Sequence, residues 1–179
     1  SPPSEASDGN KRQYHRRYIL PIRNVSSGKT FTRDCLLDNR ADDGSSLFYT
    51  DITIQGIAPP GHIIDHLLIF AFSLATIDKG TLLIHASTVV YEGRTVMFLG
   101  ESGTGKSTHS RMWQESIPGV RLLNDDGPAV RISPDGKVTV YGTPWSGKTP
   151  CYISESYPLA ALVRISRAPY NKVTRHSIL

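Results

Sequence analysis

Eight consecutive residues, Gly100-Glu101-Ser102-Gly103-Thr104-Gly105-Lys106-Ser107, spell the pattern G-x-x-x-x-G-K-S, and Thr108 follows them. The chemistry follows from the residue types. The glycines let the backbone turn back so that successive N–H groups face a triphosphate. Lys106 then reaches the β and γ oxygens, and the Ser107 hydroxyl is placed to ligate Mg²⁺. A second group of chemically able residues comes 19 positions after Lys106, where Asp125 and Asp126 stand side by side. An acid beside a phosphate loop holds the metal or orients the attacking nucleophile; the bland alternative is a simple Asn124-Asp125-Asp126-Gly127 turn before Pro128. Asp125 is assigned to the metal side with Ser107, and Asp126 to the base. Adjacent residues of an extended strand point to opposite sides, so the two carboxylates cannot serve one phosphate alike unless the chain turns there. His85 is the remaining titratable candidate, close in sequence to the loop. A histidine within a strand otherwise serves as a hydrogen-bonded structural residue.

The elements around these residues are those the chemistry needs. Thr95–Leu99 is an apolar, β-favouring run leading into the loop, and 106–115 contains no Gly or Pro and winds as a helix whose N-terminal amides face the phosphates. Pro118-Gly119 makes a turn, and 120–126 reads as a strand ending in the two acids. Upstream, Thr81–Tyr91 and Arg94–Leu99 read as two strands joined by a tight Glu92-Gly93 turn, with His85 inside the first. Apolar residues at Ile63, Ile64, Leu67, Leu68, Ala71, Phe72 and Ala75 give 62–78 helical spacing with a wide buried face, and Gly80 is a natural stop. Downstream, 129–133 and 137–141 flank Pro134-Asp135-Gly136 as a hairpin. Gly142–Thr149 is a second glycine-bearing loop, with an ordinary connection as its plain reading, and 159–165 is another apolar strand. Two hairpins force antiparallel pairs, while the strand-loop-helix-strand unit from Thr95 to Leu123 calls for a parallel crossover. The expected fold is therefore α/β with a mixed sheet.

The first third of the chain carries no visible site chemistry. Residues 1–13 are too poor in apolar side chains to offset their ordering entropy, so a disordered or added tail is expected there. Tyr18–Ile22 reads as a strand that Pro21 confines to an edge or an end. Residues 39–46 form a polar loop, and Leu47–Ile54 alternates as a half-buried strand. With 179 residues, 14–179 is expected to be one domain with its core over 62–166. The formal charge of +4 is matched by Lys11, Arg12, Arg16 and Arg17 near one end, so no nucleic-acid surface is read from it. Cys35 and Cys151 lack C-x-x-C spacing, which leaves a reducing cytoplasm as the default compartment. No apolar run approaches the roughly 20 residues that span a bilayer, and no signal-peptide core is visible. Composition leaves a homo-oligomer open.

Leu83-Ile84-His85-Ala86-Ser87, the hairpin, the Gly-Glu-Ser-Gly-Thr-Gly-Lys-Ser-Thr loop and the Leu-Asn-Asp-Asp that follows resemble the catalytic core of HPr kinase/phosphorylase. That fold is related to phosphoenolpyruvate carboxykinase, and the resemblance covers about residues 62–141. It implies ATP with Mg²⁺, phosphoryl transfer to a serine of a protein or peptide, Lys106 on the phosphates, Ser107 on the metal, and His85 near the Asp125/Asp126 pair. The sequence also departs from the family. Where the family carries a Glu-x-Arg-Gly signature that supplies another metal-site acid, this chain reads Val-Tyr-Gly-Thr-Pro-Trp-Ser-Gly-Lys over 140–148. The family's C-terminal helices have no counterpart before Leu179, and the stretch before residue 62 does not match its N-terminal domain. An ATP-dependent serine kinase is the leading expectation. A nucleotide-binding regulatory domain without transfer is the alternative, and a phosphoenolpyruvate carboxykinase is a third that 179 residues leave little room for.

Overall fold

The computed structural model describes residues 15–23, 30–38, 47–50, 61–147 and 149–176. The chain forms two compact units, Ser1–Asp78 and Lys79–Leu179. In the first, β1 (His15–Arg23), β2 (Thr30–Asp38) and β3 (Leu47–Thr50) make an antiparallel sheet in that order, with Tyr18 opposite Cys35 and Cys35 opposite Thr50. Pro21 lies in β1, which among the described residues has β2 as its neighbour on one side only, an edge position that suits a residue without an N–H. The expected tail 1–13, the polar loop 39–46 and the end of the expected strand at 51–54 lie outside the described residues. β2 is unanticipated, because Thr30–Asp38 lacks a clean polar and apolar alternation. Helix α1 (Gly61–Thr76) continues into a 3₁₀ turn at Ile77–Lys79, and Gly80 follows at φ 71°. Within it Ser73 and Thr76 bond back to the Ile69 and Phe72 carbonyls, 2.7 and 2.8 Å away, which lets polar residues sit in an apolar helix. Of its expected apolar face, Leu67, Ala71, Phe72 and Ala75 are half-buried and Leu68 is exposed.

The second unit carries the candidate site. Its strands are β4 (Thr81–Leu83), β5 (Ala86–Tyr91), β6 (Arg94–Leu99), β7 (Arg121–Asn124), β8 (Ala129–Ile132), β9 (Val138–Tyr141) and β10 (Ser156–Arg164), with helix α2 (Lys106–Ser116) between β6 and β7. They form one mixed, curled sheet in the order β4-β8-β9-β10-β6-β5-β7. Strands β6 and β7 are each antiparallel to β5, so they run parallel to one another with β5 between them, and β10 joins the other side of β6 in parallel. The expected α/β class, mixed sheet and crossover are all present.

Local chemistry explains the turns. Glu92 and Gly93 both take positive φ, 48° and 71°, the left-handed pair that matches the twist of a two-residue hairpin loop. The core lies on both faces of β5 and β6, so these strands read as apolar runs. Val90, Met97, Leu123, Val130 and Val140 cluster on one face. On the other, Val89, Phe98 and Val120 meet Trp113 and Ile117, and Phe98 stands edge-on to Trp113 with ring centroids 5.3 Å apart.

One expected strand is not continuous. Rather than a single strand over 81–91, the chain breaks at Ile84-His85: β4 pairs with β8, whereas β5 pairs with β6 and β7. The gap between β7 and β8 is filled by 125–128, and across it Ile84 N–H donates to Pro128 O at 3.1 Å and Ala86 N–H to Asp126 O at 3.0 Å. His85 therefore sits at a break rather than inside a strand.

Candidate functional site

The glycine loop bridges β6 and α2. Gly100, Gly103 and Gly105 adopt φ of 154°, 77° and 106°, so the backbone here needs glycine. Thr104 closes it: its N–H and its hydroxyl both donate to the Glu101 carbonyl, at 3.3 and 2.8 Å. Packing fixes Gly100 further, because a Cβ there would lie 2.6 Å from Thr104 Oγ1 and 2.8 Å from Ile165 O. Lys106 is buried and spans the loop, its Nζ donating to Gly100 O at 2.9 Å and Glu101 O at 3.0 Å, which leaves one of its three donors over. Glu101, Ser102, Gly103, Ser107 and Thr108 are exposed. The N-cap of α2 is Gly105, with no side-chain cap and no acid in the first turn. The helix thus starts with amide donors that no side chain caps and a positive dipole end, a setting that favours an anion.

The carboxylate pair lies at the end of β7. That strand stops at Asn124, whose fully buried side chain accepts from the Asp126 N–H at 3.0 Å and the Gly127 N–H at 2.9 Å. The chain therefore does turn at the two acids, and the turn reading and the site reading describe the same residues. Asn124 Nδ2 donates in turn to Thr143 O and Oγ1, at 3.1 and 3.2 Å, and Thr143 Oγ1 donates to Gly127 O at 2.7 Å. The stretch 142–147, expected as an ordinary connection, is thus the brace behind the acids. Gly147, at φ 59°, comes so close that a Cβ there would stand 3.0 Å from Asp126 Cβ. Lys148 lies outside the described residues.

The turn gives the two acids different partners. Asp126 Oδ1 is 2.9 Å from His85 Nδ1, with both side chains about half exposed. An N–H on Nδ1 donates to the carboxylate in that contact, so His85 holds Asp126 by one ring nitrogen. Asp125 Oδ1 instead accepts from Ser87 Oγ at 2.6 Å, and Ser87 lies 2.6 Å from Ser110 Oγ. Ser87 has one proton and spends it on the carboxylate, so Ser110 donates to Ser87. Ser87 and Ser110 are each 1% exposed. Their chain ties Asp125 to α2 at Ser110, three residues and about one turn beyond Ser107. The charge of Asp125 reaches behind the turn as well: burial first, and then that charge, push the Cys151 thiol upward.

The residues that reasoning from sequence singled out therefore fall into two groups, Gly100–Thr108 and His85 with Asp125 and Asp126, joined through Ser87 and Ser110. Ser87, Ser110, Thr143 and Gly147 were not anticipated as parts of the site, and Asn124 only as the first residue of a turn. A signal for Ser87 existed only in its place at the end of the Leu83-Ile84-His85-Ala86-Ser87 stretch that carries the resemblance. No group of three or more His, Cys, Asp or Glu among the described residues is disposed to hold a metal. Magnesium commonly uses one or two carboxylates, phosphate oxygens and water. Ser107, which is exposed, and Asp125, whose Oδ1 accepts from Ser87, are a hydroxyl and a carboxylate of the kinds such a partial set uses. No helix among the described residues is long and apolar enough to cross a membrane.

No protein-family model matches this chain. No curated protein matches it either.

Proposed function

We propose that this chain is an ATP- and Mg²⁺-dependent kinase that phosphorylates a serine hydroxyl of a protein or peptide, built on a phosphate-loop fold of the HPr kinase and phosphoenolpyruvate carboxykinase kind. The observation that carries the proposal is the connection of the two residue groups: the Asp125-Asp126 turn is hydrogen-bonded through Ser87 and Ser110 to the helix that begins at Lys106. Carboxylates poised beside an anion-favouring loop are the two parts that phosphoryl transfer requires.

The residues divide the work as follows. The amides of 103–107 cradle the β-phosphate, and Lys106 exchanges its carbonyl partners for phosphate oxygens. Ser107 and Asp125 would hold magnesium, which when bound neutralises charge on the β and γ oxygens. Asp126, oriented by His85, takes the proton of the acceptor serine. The serine oxygen forms a bond to the γ-phosphorus, the bond from that phosphorus to the bridging oxygen breaks, and ADP leaves with its electron pair. Positioning and electrostatics supply the catalysis, with no covalent intermediate on the protein.

The test is to incubate the protein with γ-labelled ATP, Mg²⁺ and a serine-peptide library, with oxaloacetate in a parallel reaction. Label on serine is the expected result. Label in phosphoenolpyruvate, or ATP binding with no transfer to any acceptor, overturns the kinase reading.

A further inference from the structure

The segment leaving β10 runs along the glycine loop. Ile165 N–H donates to Leu99 O at 2.8 Å, where β6 ends, and the Ile165 carbonyl lies against Gly100. Two residues later the Arg167 guanidinium donates to the Gly103 carbonyl. The placement follows from topology: β10 and β6 are parallel neighbours, so both chains emerge at the edge where α/β sheets bind their ligands. Arg167 is exposed, and among the described residues no carboxylate pairs with it. Its recorded partner is a neutral carbonyl, which leaves donors of a five-donor, permanently charged fork uncommitted.

We propose that Arg167 is a second cation of this site, exchanging the Gly103 carbonyl for the terminal phosphate of a nucleoside triphosphate and so setting a preference for triphosphate over diphosphate. This rests on reading Gly100–Ser107 as a phosphate loop. In that loop the amides serve the β-phosphate, and Lys106 reaches from it towards the γ oxygens. A diphosphate ends at the β-phosphate, whereas a triphosphate carries a further anionic group beyond the cradle. A guanidinium bond to a phosphate oxygen is charge-assisted and stronger than its bond to a carbonyl, so the exchange favours the ligand with the extra phosphate. The Gly103 contact then keeps the arginine at the mouth of the loop while no phosphate is bound.

The experiment is calorimetric titration of Mg-ATP and Mg-ADP into the full chain and into its Arg167→Ala, Arg167→Lys and Lys106→Ala variants. Arg167→Ala should weaken ATP about tenfold, the loss of roughly one charge-assisted hydrogen bond, and ADP less than about twofold; Arg167→Lys should recover part of the ATP affinity. Equal losses for the two nucleotides, or none, overturn the assignment. The Lys106→Ala variant separates the two readings. If it binds ATP as the unaltered chain does, the phosphate-loop reading fails. If it weakens both nucleotides while Arg167→Ala does not discriminate between them, the role of Arg167 alone falls. Should Arg167→Ala melt earlier than the parent, Arg167→Lys decides: ATP affinity weakened more than ADP affinity supports the proposal, and no discrimination overturns it.

Discussion

Replacing Asn124 by alanine tests the idea that one buried amide shapes the carboxylate turn. Its side chain is fully buried and makes four hydrogen bonds, two accepted from backbone N–H groups and two donated to Thr143. Not all the partners are stranded by its loss. Gly127 N–H also reaches Trp145 O at 3.1 Å, and Thr143 Oγ1 keeps its bond to Gly127 O. The Asp126 N–H and the Thr143 carbonyl lose the partner recorded for each. One buried and one half-buried backbone group at about 1–3 kcal/mol each, with the lost packing of the Asn124 side chain, give a central expectation of about 3–4 kcal/mol of lost stability. With a urea slope near 2 kcal/mol per molar, the unfolding midpoint falls by roughly 1.5–2 M. Tryptophan fluorescence suits the measurement, because both tryptophans, Trp113 and Trp145, belong to the unit Lys79–Leu179. A midpoint shift worth less than about 1 kcal/mol would refute the reasoning, since it would mean that the turn forms without its brace.

Three further outcomes follow from the same structure. Gly147→Ala, which puts a Cβ 3.0 Å from Asp126 at a φ of 59°, should destabilise by about 1–3 kcal/mol and lower serine transfer more than ATP affinity; parallel denaturation and kinetic assays check it. Ser110→Ala should raise the Mg²⁺ concentration needed for half-maximal transfer while leaving the fold intact, because Asp125 keeps Ser87 but Ser87 loses its donor; a magnesium titration reads this out. For pH, hydrogen bonds from Tyr157 and then Arg121 hold the Glu155 carboxyl below its ordinary value. A depressed folded value contributes stability above the unfolded one that fades as pH falls through the folded one. The stability difference between the parent and Glu155→Gln should therefore be present at neutral pH, begin to fade below about pH 4.5 and be gone once the pH has fallen through the lower folded value, as urea midpoints across that range will show.

What could be read from the sequence was local. The loop and α2 are specified by glycines and a helix-compatible run within a few residues of each other. The β5–β6 hairpin is specified by Glu92-Gly93, and the parallel crossover by the order of elements. What could not be read depends on pairing between distant strands. The break at Ile84-His85 arises because 81–83 and 86–91 find different neighbours, β8 in one case and β6 with β7 in the other. No local signal in Leu83-Ile84-His85-Ala86 marks that switch, yet it places His85 against Asp126. The Asn124–Thr143 lock spans 19 residues and the Arg167–Gly103 contact 64, separations at which residue spacing carries no information. β2 escaped notice for another reason: its sequence, Thr30–Asp38, mixes charged and apolar residues without the period of two that marks a half-buried strand.

The central claim is that Asp126 removes the serine proton while Asp125 serves the metal. The most direct test is single-turnover transfer from γ-labelled ATP to an acceptor serine by Asp126→Asn and Asp125→Asn, each measured across a magnesium titration. The expected result is that Asp126→Asn loses at least about a hundredfold in transfer rate with ATP binding preserved. Asp125→Asn should also lose transfer and require more Mg²⁺. Full transfer by both variants would contradict the account and leave the loop as a binding site alone.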